Sequence, residues 1–500
     1  MVTISGKDLT IEDIDLVARH GATVKLSDDA LERMKLARSI VEAHVGRAEP
    51  IYGLNTGVGA LRDDRINAED IPQFQRNLIM SHAVGVGEPL PTDVVRAMML
   101  TRLNGFANGG AGVQPIIAEI LVGMLNKKIT PIVPRGGSTG MSDLAQMAHL
   151  ALPIISIGEV DWDGRRMRSA ESLVKAGLPA VTLGAKDGLA LVSANAASIG
   201  HGALVVSDAF RLLHAANCAA ALSYEALPAS LTPLDARLHD KPHRSQSECA
   251  QQLREMLKGS TLWQSLAQHT LHAPISYRCV PQVHGAAQDA LAFALHTIES
   301  ELNSSGDNPM VIIQDRVLLS NGNFHSAAIA TSFDALALVL AQVSGLATSR
   351  VLRLQTPAHS QLPHGLMAQP GLNTGLSILQ KTITSLHAEV RFLAQPMSID
   401  FLPIADDMED HASHAPACVG KAAQLIDKLQ QILAIELLCA AQAIDLRHQL
   451  NKDIGTLGEG TRKVLAVVRE ATAFEPQDHV IAPNIQAVKR LVATGRLQEI

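Results

Sequence analysis

Residues 134–149 read P-R-G-G-S-T-G-M-S-D-L-A-Q-M-A-H, and this stretch leads from a loop into a helix. Three glycines with a serine and a threonine at positions 136–140 predict a flexible polar loop. The apolar residues from Leu144 to Ala151 have the spacing of one helix face. Asp143 lies between loop and helix, where an N-cap or first-turn carboxylate is favoured by the free N–H groups of a helix.

The same stretch resembles the cofactor loop of the aromatic amino acid ammonia lyases, the family of histidine and phenylalanine ammonia lyases. In that family an Ala-Ser-Gly triplet cyclises, with loss of two waters, to methylidene-imidazolone (MIO). The family pattern G-S-V-G-A-S-G-D-L-A-P-L-A-H is met by Gly137 to His149, which is one residue shorter. Met141 and Ser142 stand where the triplet should lie, and Asp143 follows directly. Because ring closure needs a backbone contortion that a third-position glycine permits, we expect this degenerate loop to lack MIO.

Further motifs of this family follow in family order along nearly the whole chain. They are Y-G-L-N-T-G-V-G (Tyr52–Gly59), N-L-I-M-S-H-A-V-G-V-G (Asn77–Gly87), Y-R-C-V-P-Q-V-H-G (Tyr277–Gly285), E-L-N-S-S-G-D-N-P (Glu301–Pro309), N-G-N-F-H (Asn321–His325) and M-E-D-H (Met408–His411). The resemblance implies a mainly α-helical ammonia-lyase fold, similar to that of fumarase and aspartase. Its parts would be a long central helical bundle and a smaller mixed N-terminal region.

Composition agrees with closely packed helices, since 47% of the 500 residues are hydrophobic but only 3% are aromatic. Long Ala- and Leu-rich helices are predicted after Asp187. Their predicted bounds are Gly188–Ser223, Val283–Ser304, His325–Leu352, Thr374–Leu393 and Cys418–Leu450. We therefore predict an N-terminal region, 1–187, that carries the tyrosine loop and the degenerate MIO loop, and a helical bundle with a C-terminal cap, 188–500.

Charge and cysteine content restrict the possible partners and compartment. The net charge of −7 argues against nucleic-acid binding, which normally needs a basic face. Five scattered cysteines without a CxxC motif indicate reduced thiols. No signal-peptide pattern is visible, and the most apolar runs, such as Ala335–Ala347, look too short to cross a membrane. We expect a cytoplasmic protein without membrane contact.

Tyr52 heads a glycine-punctuated loop and matches the position of the family's catalytic base. A phenol acts as a base only if its pKa falls toward working pH, which needs nearby cations or strong donors. Without the resemblance, a tyrosine that plugs the core would be the simpler interpretation.

Other family positions assign substrate contacts. Arg278 matches the residue that binds the substrate carboxylate, for which a guanidinium fork is suited, although an intersubunit salt bridge would also explain it. Asn308 would add an amide donor, and Phe324 falls in the pocket wall. His82 and Glu409 match positions that surround the imidazole in histidine ammonia lyases, and Glu409 could hydrogen-bond a ring N–H. Together they favour an imidazole-type substrate.

Two further departures fall on the side of the family site that activates the amine. Ser193 stands where the family has an asparagine close to MIO, and Ile275 replaces a family tyrosine. The triplet, the asparagine and the tyrosine are therefore lost together, whereas the carboxylate and imidazole contacts remain. A quaternary ammonium has no lone pair for an electrophile to engage, and it leaves as a neutral amine.

This pattern resembles the MIO-less ergothionases, which eliminate trimethylamine from ergothioneine, the 2-thio-imidazole betaine of histidine, to give thiourocanate. Lys381, one turn before Thr384, could balance negative charge on the thione sulfur, or it could be an ordinary solvated helix lysine. Tyr277 and Phe324 offer aromatic faces for the trimethylammonium group. A small apolar pocket would serve equally well.

The remaining expectations concern metal, assembly and rival functions. His411 and His414 beside Glu409 match no standard zinc spacing, so we expect no metal. The resemblance implies a homotetramer with active sites shared between subunits. Three alternatives stay open: a histidine ammonia lyase with an atypical loop, a catalytically silent homologue, and a related addition, cyclisation or isomerisation of an imidazole acid.

Overall fold

The chain was analysed as a computed structural model, which describes residues 1–47, 49–264, 273–369, 371–399, 401–450, 452 and 455–500. The α-helices, in chain order, are α1 (Ile11–Ala18), α2 (Asp28–Glu42), α3 (Ile71–His82), α4 (Thr92–Asn108), α5 (Pro115–Asn126), α6 (Leu144–Ala151), α7 (Ser169–Lys175), α8 (Asp187–Val192), α9 (Ala196–Ala226), α10 (Arg244–Met256), α11 (Ile275–Arg278), α12 (Val280–Leu302), α13 (Ala327–Leu354), α14 (Pro357–Ser360), α15 (Leu379–Leu393), α16 (Ala415–Gln449), α17 (Glu459–Ala471) and α18 (Ala482–Ala493). The prediction of a mainly α-helical chain is confirmed.

The strands are short and form four small sheets. They are β1 (Val2–Ile4), β2 (Val24–Leu26), β3 (Val86–Pro89), β4 (Ile129–Pro131), β5 (Pro134–Gly136), β6 (Glu159–Trp162), β7 (Arg165–Arg168), β8 (Met310–Ile312) and β9 (Val317–Leu319). β1 pairs with β2 in parallel, whereas β3–β5, β4–β6–β7 and β8–β9 are antiparallel.

The described chain divides into two compact units that are discontinuous in sequence. The first comprises residues 1–207, 294–334 and 396–420, and the second comprises 208–293, 335–395 and 421–500. All nine strands lie in the first unit. The division predicted at residues 187 and 188 stays a prediction. Four of the five unit boundaries fall inside α9, α12, α13 and α16, and the fifth, at residues 395 and 396, follows α15.

The core of the first unit forms around α4, which is buried from Val94 to Ala107. A helix that is buried on all sides must be covered on all sides, and α1, α2 and α5 pack on α4. α3 packs on both α6 and α8, and this helix trio supports the candidate site described below. In the second unit, the fully buried Arg350 and Glu436 form an ion pair, with 2.5 Å between Nε and Oε1.

Two predicted helices have different bounds. The helix predicted from Gly188 to Ser223 is broken between α8 and α9, because Ser193 leaves helical geometry at φ −85° and ψ 77°. The helix predicted from Thr374 begins only at Leu379. Thr374 and Gly375 instead donate their backbone N–H groups to the carboxylate of Asp478.

The expectation that no apolar run is long enough to cross a membrane is wrong. By length and composition alone, three helical segments qualify: residues 187–226, α13 and α16. The run Ala335–Ala347 is only the middle of α13, which extends over 28 residues. In the folded chain 89%, 56% and 89% of the most apolar windows of these segments are buried.

Candidate active site

One large cleft in the first unit collects residues from six separate parts of the chain. Its volume is about 800 Å³. It is lined by the tyrosine loop, the last two turns of α3, residues 141–144, the end of α8, and loops around 308–325 and 408–411. The sequence-predicted residues that line it are Tyr52, His82, Met141, Ser142, Ser193, Asn308, Phe324 and Glu409.

The Tyr52 phenol is held by its own loop. Its oxygen accepts a hydrogen bond from the Gly59 N–H at 2.9 Å. Burial raises the pKa of Tyr52 above its ordinary value, and the Glu409 carboxylate raises it further, whereas the Gly59 N–H and the Arg62 guanidinium lower it. The balance is upward, so within a single chain the pKa reduction expected from sequence does not occur.

His82 ends α3 as a neutral imidazole. Its Nδ1 lies 2.8 Å from the Leu78 carbonyl oxygen, and because a carbonyl only accepts, Nδ1 carries the proton and Nε2 is an acceptor. Burial lowers the pKa of His82, with smaller opposing contributions from the Leu78 carbonyl and Glu409. A neutral histidine in this cleft can accept a hydrogen bond from a ring N–H of a bound imidazole.

Glu409 is carried by a tight turn at the edge of the cleft. Its backbone pairs with Ile404 in both directions, through Ile404 N to Glu409 O at 3.0 Å and Glu409 N to Ile404 O at 3.3 Å. The intervening Ala405, Asp406 and Asp407 all have left-handed φ angles, between 53° and 61°. Left-handed backbone in three successive non-glycine residues is strained, and strain of this kind occurs at functional sites.

The loop that resembles the cofactor loop is tied down by backbone hydrogen bonds. The Ser142 N–H donates to the Phe324 carbonyl at 3.1 Å, and the Asp143 N–H donates to the Ala194 carbonyl at 2.8 Å. The Ser142 hydroxyl lies 3.2 Å from that of Ser193. Gly140 is required here, since it has φ +86° and an added Cβ would lie 2.3 Å from the Ser413 hydroxyl.

Asp143 precedes α6 as expected, but its side chain does not cap that helix. The carboxylate instead accepts the Ser198 backbone N–H at 2.6 Å and the Ser198 hydroxyl at 2.9 Å, at the start of α9. Asp143 is completely buried. Burial raises its pKa to about 6, against the hydrogen bonds from Ser198 and Ala197, which lower it. By position Asp143 is the N-cap residue of α6, as expected, whereas its carboxylate caps α9. Asp143 is not among the residues that line the cleft.

Two other predicted contacts come from the loop around residues 308–325, which also lines the cleft. Asn308 Oδ1 accepts the Asn321 backbone N–H at 2.9 Å and the Ser320 hydroxyl at 3.1 Å. Because its oxygen is engaged, only the Nδ2 hydrogens of Asn308 are left to donate to a ligand. Phe324 follows in the same loop and lines the cleft.

Three predicted residues belong to the second unit and are not among the residues that line the cleft. Tyr277 is completely buried there, with its ring edge-on to Tyr224 at 5.6 Å between centroids. Arg278 is half-buried, and its Nε has no hydrogen-bond partner among the described residues. Lys381 is exposed on α15.

Sequence reasoning missed two features of the cleft. Arg62 lines it ten residues after Tyr52 in the tyrosine loop. His325 and His411 lie with Nε2 and Nδ1 3.0 Å apart and their rings stacked. Both histidines fall inside motifs quoted above, so their pairing could have been inferred from those motifs. Among the described residues, no group of three histidine, cysteine or acidic side chains converges as metal ligands.

The whole chain is similar to known proteins of one family. The aromatic amino acid lyase family model matches residues 9–470. Histidine ammonia-lyase of Treponema denticola is 40% identical over 495 residues, which is 98% of this chain and 96% of the relative.

Solved structures agree with this match. Ergothionase from Treponema denticola, in complex with desmethyl-ergothioneine sulfonic acid, has a TM-score of 0.93 and 33% identity, with full coverage of both chains. Histidine ammonia-lyase from Trypanosoma cruzi has a TM-score of 0.91 and 31% identity, and the match covers 100% of this chain and 94% of that one. The chain belongs to the aromatic amino acid lyase family, and by class it is a carbon–nitrogen lyase. The ammonia-lyase fold predicted from sequence is confirmed.

The residues at 141–143 do not fit the family's prosthetic group. Closure of MIO would join the amide nitrogen of the third residue to the carbonyl carbon of the first. Here that nitrogen belongs to Asp143 and already donates to Ala194, and the carboxylate of the same residue is anchored on α9. In the shortened loop the backbone nitrogen of Asp143 is therefore engaged elsewhere and is not placed for ring closure.

Proposed function

We propose that this chain is a MIO-independent lyase that eliminates trimethylamine from a histidine betaine, converting ergothioneine to thiourocanate. The observation that carries the proposal is a contrast within one cleft. Tyr52, His82 and Glu409 line the cleft. The backbone nitrogen of Asp143, which would have to close the MIO ring, instead donates a hydrogen bond to the Ala194 carbonyl. A base and an imidazole site without an electrophile suit a leaving group that is already cationic.

In the proposed reaction the Tyr52 phenolate removes the β-proton of the betaine. The electron pair of that C–H bond becomes the new carbon–carbon double bond, and the C–N bond breaks with both electrons on nitrogen. Trimethylamine leaves as a neutral molecule, and the proton stays on Tyr52. The permanent charge also lowers the pKa of a nearby phenol, because an opposite charge favours the ionised form. The substrate would thereby offset part of the upward shift in the pKa of Tyr52.

The ring of the substrate would lie between His82 and Glu409. Neutral His82 offers Nε2 as an acceptor, and the Glu409 carboxylate accepts a ring N–H and follows the charge of the ring. Phe324 lines the same cleft and is the aromatic face that we propose for the trimethylammonium group. Tyr277 stays a sequence prediction.

We propose that other subunits of the assembly supply the contacts to the substrate's carboxylate and to its thione sulfur. Arg278 would clamp the carboxylate, and Lys381 would balance negative charge on the thione sulfur, each from another subunit of a homotetramer. Exposed apolar side chains in the second unit, including Phe293, Leu338 and Phe392, support self-association. We further propose a cytoplasmic protein whose three long apolar helices are buried by folding and assembly.

Ammonia elimination from histidine is the second candidate. It is favoured by the 40% identity to histidine ammonia-lyase of Treponema denticola. That reaction would need another way to activate an ordinary amino group, since the loop lacks the triplet.

The test is to mix the protein with ergothioneine or histidine and to follow the ultraviolet absorption of the conjugated acid. We expect product from ergothioneine with the wild-type protein, and at most a trace with Tyr52→Phe. Urocanate from histidine without any reaction of ergothioneine would replace this proposal with the second candidate.

A further inference from the structure

Among the described residues that line the cleft, Arg62 is the one Lys or Arg side chain. The other ionisable groups on the lining, apart from Tyr52, are Glu409, Asp410, His82, His325 and His411. The base of the proposed reaction therefore shares its cleft with two acids and one permanent cation. Burial and the Glu409 carboxylate both disfavour the phenolate of Tyr52, and Arg62 is the side-chain charge on this lining that favours it.

A single short turn positions both groups that favour ionised Tyr52. Residues Gly59–Leu61 form a 3-10 turn, whose first N–H donates to the Tyr52 oxygen at 2.9 Å. The Arg62 N–H closes the turn on the Gly59 carbonyl at 3.2 Å. The same segment is fixed at its base by the Gly57 N–H, which donates to the Asp64 carbonyl at 2.9 Å. The backbone of Arg62 is therefore fixed by the same turn that supplies the Gly59 donor, and its side chain starts from that fixed point and lines the cleft with Tyr52.

We propose that Arg62 is a positioning residue for the base, favouring the ionised form of Tyr52 from the far end of this turn. The inference rests on the proposed function in taking Tyr52 as the base. It goes beyond that function because it assigns a cation of the same loop to the base. The direction of the electrostatics agrees, since the Arg62 guanidinium lowers the pKa of Tyr52.

The charge of Arg62 is available for this role. Its contact in the structure is with Asp63, at 3.8 Å between Nε and Oδ2, and the Asp63 side chain is 89% exposed. Exposed ion pairs of this kind are screened by water and contribute little. Glu409, which raises the pKa of Tyr52, is the opposing charge.

The competing role for Arg62 is direct binding of the substrate carboxylate. The two roles differ in what happens without substrate. If Arg62 serves only to bind the carboxylate, replacing it raises KM and leaves the ionisation of Tyr52 in the free protein unchanged. If Arg62 acts on the base, replacing it shifts that ionisation in the free protein.

The chain allows a direct readout, because it contains only three tyrosines. Tyr224 and Tyr277 are completely buried, and burial raises the pKa of each. The first tyrosinate to form as pH rises is thus assigned to Tyr52, and Tyr52→Phe confirms the assignment by removing that step. Near-ultraviolet titration of the full-length protein without substrate then follows this step.

The variants are Arg62→Gln, Arg62→Lys and, as a matched control, Arg65→Gln on the same loop. Arg65 is exposed and does not line the cleft. We expect Arg62→Gln to move the first tyrosinate midpoint upward by roughly half a pH unit to one unit, with recovery in Arg62→Lys and no change in Arg65→Gln. The rising limb of kcat/KM with ergothioneine should shift by the same amount.

An unchanged first midpoint in Arg62→Gln would overturn the inference, as would a raised KM with an unshifted pH profile. A shifted midpoint in a protein that turns over none of the tested substrates would support the Arg62–Tyr52 coupling and reject the proposed function instead. Thermal unfolding of each variant checks that the half-exposed arginine was replaced without loss of fold.

Discussion

The amide nitrogen of Asp143 donates a hydrogen bond to the carbonyl oxygen of Ala194 at 2.8 Å. In the family this region supplies the nitrogen that closes the prosthetic ring. Here the contact links the loop to the break between α8 and α9, which is also where Ser193 replaces the family's asparagine. The two departures from the family, at the triplet and at the asparagine, therefore lie next to each other in the structure.

This contact predicts that the protein keeps its full sequence mass. Intact-mass spectrometry of catalytically active, denatured protein should give the mass calculated from the sequence. The Ser142→Ala variant, which could not form MIO, should match its own calculated mass equally well. A wild-type chain lighter by two waters, with Ser142→Ala at full mass, would contradict the account.

Replacing Tyr52 by phenylalanine should remove the base with little effect on the fold. General-base catalysis contributes on the order of a hundredfold or more, so we expect kcat to fall by at least about that factor. Among the described residues, the hydroxyl loses the hydrogen bond from the Gly59 N–H, and thermal unfolding should change little. Turnover within a few-fold of wild type would exclude Tyr52 as the base.

The raised pKa of Tyr52 also predicts the pH dependence of the wild type. Because burial holds the pKa of Tyr52 above its ordinary value, only a small fraction of free protein carries the phenolate near neutral pH. The value of kcat/KM should therefore rise about tenfold per pH unit through the neutral and mildly alkaline range. A profile that is flat there would mean that another group removes the proton.

Glu409→Gln should separate the two effects of this carboxylate. The substitution replaces the negative carboxylate that binds the substrate imidazole by a neutral amide, so KM for the betaine should rise. The same loss removes a charge that raises the pKa of Tyr52, so the first tyrosinate midpoint should fall. Asp407→Asn, on the same turn but outside the cleft lining, is the matched control. A Glu409→Gln variant with neither change would show that Glu409 faces away from both groups.

Burial of Asp143 predicts a pH-dependent stability. The folded pKa of Asp143 is raised from 3.8 to about 6, so the folded state binds the proton more tightly than the unfolded chain. Its stabilising contribution is full below the unfolded pKa and is lost as pH rises through the folded pKa. From pH 4 to pH 7 the wild type should lose about 2.4 kcal/mol of unfolding free energy relative to Asp143→Asn. Urea unfolding measures this, and parallel pH profiles of the two proteins would refute it.

The sequence predicted the fold well because family motifs span the chain and helical spacing is a strong signal. Helix bounds were less certain where tertiary contacts decide them. Thr374 has a suitable pattern for a helix start, but hydrogen bonds from residues 374 and 375 to Asp478 delay that start to Leu379. The break at Ser193 was hidden because residues 189–192 before it and Ala194 after it continue an apolar helical pattern.

The candidate site was predictable where a motif carries it and less so elsewhere. Tyr52, His82 and Glu409 lie in motifs and line one cleft. Arg62 was missed because a single arginine in a polar loop is usually a solvated side chain, and only the turn geometry connects it to Tyr52. The carboxylate of Asp143 looked like a cap for α6, since the partner that it caps, α9, begins more than fifty residues later in sequence.

The identity of the released amine tests the central claim most directly. Ergothioneine, hercynine and histidine are incubated side by side with the wild-type protein and with Tyr52→Phe, and the amines are measured by mass spectrometry. We predict trimethylamine from a betaine with the wild type, and neither trimethylamine from Tyr52→Phe nor ammonia from histidine. Rapid release of ammonia from histidine, with both betaines left intact, would contradict the account.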